Sequence, residues 1–354
     1  MSEKLIYGIQ QIGVGVADAD QAFEWYATRL GSDVPVFEDD NTATFMAPYM
    51  GGKPREKRAI LAMNLEGGSG YEIWQYTSRT PSKPENPFRL GDLGINAAIV
   101  KSRNITQSFD RLQKMQVEML TNVVSDIDGT KCFYINDLGG NLLKIKESNS
   151  WFSKSQKDLG GVYGGILGVS NIEEAMKLYS DVLGYDQVLA DETGSFESLK
   201  GIANGDATFR RVILGHKANR TGGFSKLLGD SQLELVQMID KVPEKLFKNR
   251  YWGDLGFIHL CFDISNMRLL TEECKAKGFP FKVLSSDSFD MGDANGHWGY
   301  IEDPDGTLIE FVETHKVSLV KPLNWNINLR NRDPKKPLPN WLVKVMSFKR
   351  KKFN

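Results

Sequence analysis

One histidine in this 354-residue sequence, His259, has a setting that suits chemistry. It lies in residues 253–263 (GDLGFIHLCFD), where apolar residues flank it and the alternating pattern predicts a β-strand. A near copy at residues 91–99 (GDLGINAAI) lies 162 positions upstream and has Ala97 where the histidine stands. Because imidazole is a common metal ligand, a duplicated strand that differs at this position indicates two related units, one of which does chemistry.

A second repeat, with an offset of 153 positions, indicates how such strands are positioned. Residues 9–18 and 164–171 share one strand pattern, and a helical pattern that ends in Leu-Gly follows each of them. Asp18 and Asn171 are typical helix N-caps, because their side chains accept hydrogen bonds from free backbone amides. Each repeat therefore predicts a strand followed by a helix.

Short alternating runs punctuated by Gly, Asp and Asn follow each predicted helix and indicate several antiparallel strands. Residues 137–140 (DLGG) and 303–306 (DPDG) have the composition of hairpin turns. Together the repeats predict an α+β fold of four modules, each with one strand, one helix and three further strands. We expect two domains of two modules each, at residues 1–148 and 161–316, with a linker at 149–160 and a tail at 317–354.

The tail ends in a basic run at residues 349–352. Trp341, Val345 and Phe348 precede this run and have the spacing of one helical face. The pattern favours a short helix that packs on the protein and leaves a solvated end. Contact with a membrane or an acidic partner is the alternative.

The composition is that of an ordinary globular protein, with 41% hydrophobic residues, 25% charged residues and a formal net charge of -1. Such a charge gives no bulk attraction to nucleic acid, and no apolar run reaches the roughly 20 residues of a membrane helix. Cys132, Cys261 and Cys274 follow no metal-ribbon spacing, which indicates reduced thiols, with Cys261 buried in a strand. We expect a cytoplasmic monomer or homodimer with a small-molecule substrate, no nucleic-acid partner and no stable membrane association.

Over residues 5–315 the sequence resembles the vicinal oxygen chelate superfamily, which includes glyoxalase I, extradiol dioxygenases, methylmalonyl-CoA epimerase, and bleomycin and fosfomycin resistance proteins. The matching features are a first strand that ends in Asp or Asn, a helix with Tyr and then Leu-Gly, and a last strand such as residues 303–311 (DPDGTLIEF). The resemblance implies four βαβββ modules that pair into two curved eight-stranded open barrels, here called cups. It also implies that metal ligands come from the first and last strand of each module.

The resemblance assigns one ligand position to each of these strands. The positions are Gln11, Glu72, Ala97, Lys144, Gly164, Glu234, His259 and Glu310. Alanine, lysine and glycine cannot replace the ligands, so one cup is expected to be without a metal. Pairing of modules one and four, as in four-module glyoxalases, gives the ligand set Gln11, Glu72, His259 and Glu310. Pairing of neighbouring modules, as in extradiol dioxygenases, gives Glu234, His259 and Glu310. We favour the first pairing, because it alone gives four donors.

Three oxygen donors and one nitrogen donor suit zinc, nickel, cobalt or manganese. Iron-dependent oxygen chemistry commonly uses two histidines and one carboxylate, and the single histidine at these positions disfavours it. The resemblance implies a glyoxalase-like lyase or isomerase, in which the metal chelates two adjacent substrate oxygens and a carboxylate removes a proton from the carbon between them. Glu310 is the expected general base, and Glu72 is the second candidate.

The substrate pocket is predicted to be aromatic. Strand alternation places Trp74 and Tyr76 on the same side as Glu72, and His297 is expected at the cavity mouth. Tyr76 and Gly15 stand where glyoxalase I has glutathione contacts, which disfavours glutathione as cosubstrate. The alternative functions are an extradiol-type ring-cleaving dioxygenase and a non-catalytic protein that binds a drug and confers resistance.

Overall fold

The computed structural model describes residues 3–155, 157–286, 289–290, 294–320 and 325–353. Its strands form two curved open half-barrel sheets with few helices, which confirms the predicted α+β fold. None of the helices among these residues has the length and apolarity needed to cross a bilayer.

Each module contains the predicted strand, helix and further strands. Module one consists of β1 (Leu5–Gly15), α1 (Ala19–Leu30), β2 (Val34–Thr42), β3 (Glu56–Met63) and β4 (Gly70–Tyr76). Module two consists of β5 (Gly94–Ser102), α2 (Ile105–Lys114), β6 (Val124–Ser125), β7 (Lys131–Asn136) and β8 (Leu142–Glu147). Module three consists of β9 (Leu159–Gly168), α3 (Ile172–Tyr179), β10 (Gln187–Gly194), β11 (Phe209–Gly215), α4 (Ser225–Leu228) and β12 (Gln232–Met238). Module four consists of β13 (Gly256–Ser265), α5 (Met267–Ala276), β14 (Val283–Leu284), β15 (Phe289–Asp290), β16 (Ala294–Glu302) and β17 (Leu308–Val320). The chain then forms β18 (Trp325–Asn328) and α6 (Asn340–Lys344). Single turns of 3-10 helix lie at Ala47–Tyr49, Glu197–Leu199 and Val345–Lys349.

The two sheets combine modules that are not all neighbours in sequence. Sheet A has the strand order β14-β16-β17-β13-β1-β4-β3-β2, with β15 beside β16 and β18 beside β17. Sheet B has the order β10-β11-β12-β9-β5-β8-β7-β6. Antiparallel pairing of β1 with β13 joins modules one and four, and pairing of β5 with β9 joins modules two and three. This confirms the favoured module pairing.

The predicted division into residues 1–148, 149–160, 161–316 and 317–354 does not follow the sheets, because each sheet takes one module from each half of the chain. The boundary at residue 316 falls inside β17, and the linker prediction includes the start of β9. The repeat pattern located the modules, and only the residues at the ligand positions favoured one pairing over the other.

Polar side chains cap the helices that follow the first strand of each module. Asp18, Asn104, Asn171 and Asn266 each accept a hydrogen bond from the backbone N–H three residues ahead, at 2.9 to 3.2 Å. The caps predicted at Asp18 and Asn171 are confirmed. Because each cap fixes where its helix begins, it also marks where the strand before it has ended.

Two buried tyrosine–aspartate hydrogen bonds connect the sheets. The Tyr26 hydroxyl of module one donates to Asp137 of module two at 2.5 Å, and the Tyr179 hydroxyl of module three donates to Asp303 of module four at 2.8 Å. Each bond joins a helix packed on one sheet to a hairpin turn of the other. The helix tyrosine and the turn aspartate of the repeated pattern therefore have a structural role.

The C-terminal segment forms the predicted short helix, but a different face packs on the protein. Leu338, Val343 and Met346 are buried, whereas Trp341 and Phe348 are 61% and 79% exposed. The buried side chains pack in a cluster with β2, β3 and α4. The prediction that Trp341, Val345 and Phe348 share one packed face is wrong, because the helix is only five residues long and continues as a 3-10 turn, which shifts the angular spacing.

Candidate metal centre and active site

Four side chains from β1, β4, β13 and β17 converge on the concave face of sheet A. Nε2 of His259 lies 3.1 Å from a carboxylate oxygen of Glu72 and 3.1 Å from one of Glu310. The Gln11 amide nitrogen (Nε2) donates to the same two oxygens at 3.2 Å and 3.5 Å. One ligand atom from each of Glu72, His259 and Glu310 falls within 4.8 Å of the others. The structure thus brings together all four residues of the favoured ligand set.

The strand register explains this convergence. β1 and β13 run antiparallel with Gln11 opposite Cys261 and Gly13 opposite His259. β4 pairs with β1 and β17 pairs with β13, both in parallel, so the outer two strands bring Glu72 and Glu310 to the same level. Residues nearly 250 positions apart in sequence, such as Gln11 and His259, therefore meet across one strand pair.

The site is largely buried, and the two carboxylates act on the histidine. Burial alone would lower the pKa of His259, but Glu310 and Glu72 outweigh that effect and raise the pKa to about 9. The Gln11 Oε1 and His259 Nε2 atoms have no hydrogen-bonding partner among the described residues. The contacts from Nε2 to the two carboxylates are thus close without having hydrogen-bond geometry.

A cavity of about 230 Å³ opens beside these residues. Its walls include Trp74, Trp252, Trp298 and Tyr300, and Glu72 and Glu310 lie at its base. Trp74 stands edge-on to Trp252, with ring centroids 4.6 Å apart. The prediction of an aromatic pocket around Trp74 agrees with this arrangement.

Two other residues predicted for the pocket lie elsewhere. The Tyr76 ring packs edge-on behind Trp74, and its hydroxyl donates to the Trp252 carbonyl, so it supports the wall without lining the cavity. His297 lines a different depression, formed with the C-terminal segment. Successive side chains of a strand point to opposite faces, and since Trp298 and Tyr300 on β16 face the cavity, His297 faces away from it.

The concave face of sheet B holds a network of ion pairs instead of a ligand set. Lys144, at the position equivalent to Glu310, contacts Glu234 at 2.6 Å and also contacts Asp126. Arg211 donates to Glu234 at 2.5 Å and to Asp126 at 2.8 Å. These side chains are at most 1% exposed. The Lys144 ammonium provides the positive charge that the acidic groups of this cup require.

The alternative ligand set of Glu234, His259 and Glu310 is therefore wrong. Glu234 lies in sheet B, paired with two cations, while the other two residues lie in sheet A. No larger side chain fits at Gly164, because a Cβ atom there would lie 1.8 Å from the Gln232 carbonyl oxygen.

Sequence reasoning missed Gly13. A Cβ atom at this position would lie 2.3 Å from Cε1 and 2.5 Å from Nδ1 of His259. In sheet B the equivalent strand pair places Ile166 opposite Ala97. Gly13 and His259 of sheet A thus correspond to Ile166 and Ala97 of sheet B, so the large and the small residue have exchanged strands. Aligning the modules at offsets of 153 and 162 shows this exchange in the sequence.

Comparisons with known proteins agree with this architecture. Residues 164–311 match the model of the Glyoxalase/Bleomycin resistance protein/Dioxygenase superfamily, whereas a search of curated proteins finds no match. Glyoxalase I from Zea mays is 13% identical, with a TM-score of 0.53, over 88% of this chain and 92% of that chain. A mutant of the same enzyme, with the same identity and coverage, has a TM-score of 0.55.

A Bacillus subtilis protein described as a candidate dioxygenase is 15% identical, with a TM-score of 0.53, over 88% of this chain and 86% of that chain. At such identities these likenesses show the fold alone. The fold is thus glyoxalase- and dioxygenase-like, and the match to the family model extends over residues 164–311.

Proposed function

We propose that the protein is a metal-dependent lyase or isomerase of the glyoxalase type, acting in the cytoplasm on a small substrate bound through two adjacent oxygens. The observation that carries the proposal is the convergence of Gln11, Glu72, His259 and Glu310 beside a largely apolar cavity. Neither the second cup nor any other group of residues in the described ranges offers a comparable set.

The chemistry of the four residues fits a divalent cation. Two carboxylates buried side by side need a positive charge between them. The Gln11 amide oxygen and both ring nitrogens of His259 lack hydrogen-bonding partners among the described residues. One nitrogen and three oxygen donors suit zinc, nickel, cobalt or manganese, while a single histidine speaks against the iron site of the dioxygenase alternative.

A bound cation would orient two adjacent substrate oxygens and stabilise the negative charge that develops on them. Glu310 then takes the proton from the carbon between those oxygens. This carboxylate lies beside Tyr300. Burial, and then the charge of Glu310, raise the pKa of Tyr300 well above its usual value. Because the protonated Tyr300 hydroxyl can donate a hydrogen bond, it can hold Glu310 at the moment when the carboxylate turns toward the substrate.

Glu72 is the second candidate for the base. Its described contacts are to Gln11 and His259, and it lines the same cavity as Glu310. The surrounding tryptophans present apolar surface to the site, and an apolar surrounding strengthens charge interactions. Glu310→Gln and Glu72→Gln should separate the two roles, because the variant of the base loses proton exchange even where the cation is retained.

Elemental analysis of the purified protein tests the proposal. We expect about one divalent cation per chain, and its loss in His259→Ala. His297→Ala is the matched control, since it removes a histidine from the opposite face of the same sheet and should leave the metal content unchanged. The proposal would be contradicted if the wild-type protein retained none of the four cations after loading. Full metal occupancy in His259→Ala would contradict it as well.

A further inference from the structure

A second polar group lies in the cavity of sheet A, away from the metal ligands. Asp263 on β13 is 2% exposed and lines the same cavity as Glu72 and Glu310. It is four residues after His259 on the same strand, which places the two α-carbons about 13 Å apart at the usual rise per residue. Tyr300 and Trp298 on β16 lie along the stretch from the metal ligands to Asp263, so the cavity has two polar ends joined by an aromatic wall.

A bulge in β1 completes this second end. Ile9 pairs with Phe262 and Gln11 pairs with Cys261, so Gln10 is an extra residue without a partner in the strand pair. Such bulges redirect a side chain, and here Gln10 and Gln11 both line the cavity. The Gln10 amide donates to Asp263 at 3.4 Å, a long hydrogen bond.

The Asp263 carboxyl group has no cationic partner among the residues that the structure describes. Its other neighbour is the Thr314 hydroxyl, at 3.5 Å. Burial raises the pKa of Asp263 to about 8. The nearby charge of Glu313 has the same sign and raises this pKa as well. A carboxyl group that is nine-tenths buried, weakly hydrogen-bonded and directed into a cavity is arranged to receive a positive charge from a ligand.

The charge balance of the cavity supports this. Lys57, the cationic residue of the lining, lies 2.5 Å from Asp39 and is paired with it. A divalent cation offsets Glu72 and Glu310. Asp263 is the acidic residue of the cavity lining that is then left without an offsetting positive charge.

We propose that Asp263 binds a protonated amine of the substrate, at the end of the cavity opposite to the two oxygens held near His259. The inference rests on the proposed function for the oxygen-binding end. It defines the substrate class as an elongated molecule with adjacent oxygens at one end, an apolar middle that fits beside Tyr300 and Trp298, and a primary amine or a similar cation at the other end.

A pair of hydroxamic acids tests this proposal, because a hydroxamate chelates a cation through two adjacent oxygens. 6-Aminohexanohydroxamic acid and heptanohydroxamic acid have the same length and differ in the terminal group, an ammonium in the first and a methyl in the second. Binding is followed through the visible absorption of the cobalt-loaded protein near pH 8, and the measurement is repeated with a pair that is two methylene groups longer. We expect at least one amine compound to bind about tenfold more tightly than its alkyl partner.

Asp263→Asn should abolish this preference by weakening the amine compound alone. Asp40→Asn is the control, because it removes the same charge from the exposed edge of sheet A and should preserve the preference. Equal affinities within both pairs for the wild-type protein would overturn the amine site while leaving the proposed function intact. Failure to hold cobalt, or to bind either compound of either pair, would overturn the proposed function and this inference with it.

Discussion

Gly13 and His259 face one another across β1 and β13, and the absence of a side chain at the first provides the space for the imidazole of the second. The relation is absent from sheet B, where Ile166 faces Ala97. The proposed metal site therefore depends on a glycine as much as on its ligands.

Gly13→Ala should displace the His259 ring and lower metal affinity by about 10- to 100-fold. The same crowding should destabilise the protein by about 1 to 3 kcal/mol. Competition with a chelator measures the first effect and chemical denaturation the second. Gly165→Ala is the control, because a Cβ atom there would make only an ordinary contact at 3.6 Å. Unchanged affinity in Gly13→Ala would show that the ring has another position available.

Metal affinity should rise with pH up to about 9. A cation can bind only the neutral ring of His259, and the neighbouring carboxylates raise the pKa of that ring to about 9. Binding near neutral pH should therefore release about one proton per cation. Calorimetry in two buffers with different ionisation enthalpies measures this number. A release of no protons would mean that His259 is not a ligand.

Lys144→Met should destabilise the protein by about 3 to 5 kcal/mol, because it leaves Asp126 and Glu234 buried with less compensating charge. Metal binding in sheet A should persist in the folded variant. Denaturation and metal analysis measure the two properties. Lys131→Met, at an exposed position of β7, should change neither. Loss of metal in Lys144→Met would indicate that the two cups are coupled.

Tyr179→Phe should cost about 1 to 2 kcal/mol near neutral pH and less near pH 4. Burial raises the pKa of Asp303 to about 6, and the hydrogen bond from Tyr179 opposes that rise. An acid whose folded-state pKa lies above its unfolded value destabilises the fold as pH rises from about 4 to 6. Removing the Tyr179 hydroxyl raises the pKa of Asp303 further, and the loss of stability between pH 4 and neutral pH therefore becomes larger.

Denaturation curves across that pH range check the prediction, with the partly exposed Tyr251→Phe as control. A loss of stability in Tyr179→Phe that is the same at both ends of the range would show that Asp303 does not ionise in the folded protein.

The sequence by itself determined the modules, the helix caps and the strand positions of Gln11, Glu72, His259 and Glu310. These features are local: a cap fixes where a helix begins, and alternation fixes which face of a strand a residue occupies. A repeat carries both from one module to the next. The departures at Ala97 and Lys144 were visible in the same way.

Only the tertiary structure decided which modules pair, and hence that Glu234 belongs to a buried ion-pair network rather than to a metal site. It also placed His297 outside the cavity and Asp263 and the bulged Gln10 inside it. The physical reason is that partners in a sheet are chosen by contacts between strands far apart in the chain. Patterns within one strand specify its faces, but they do not specify its neighbour.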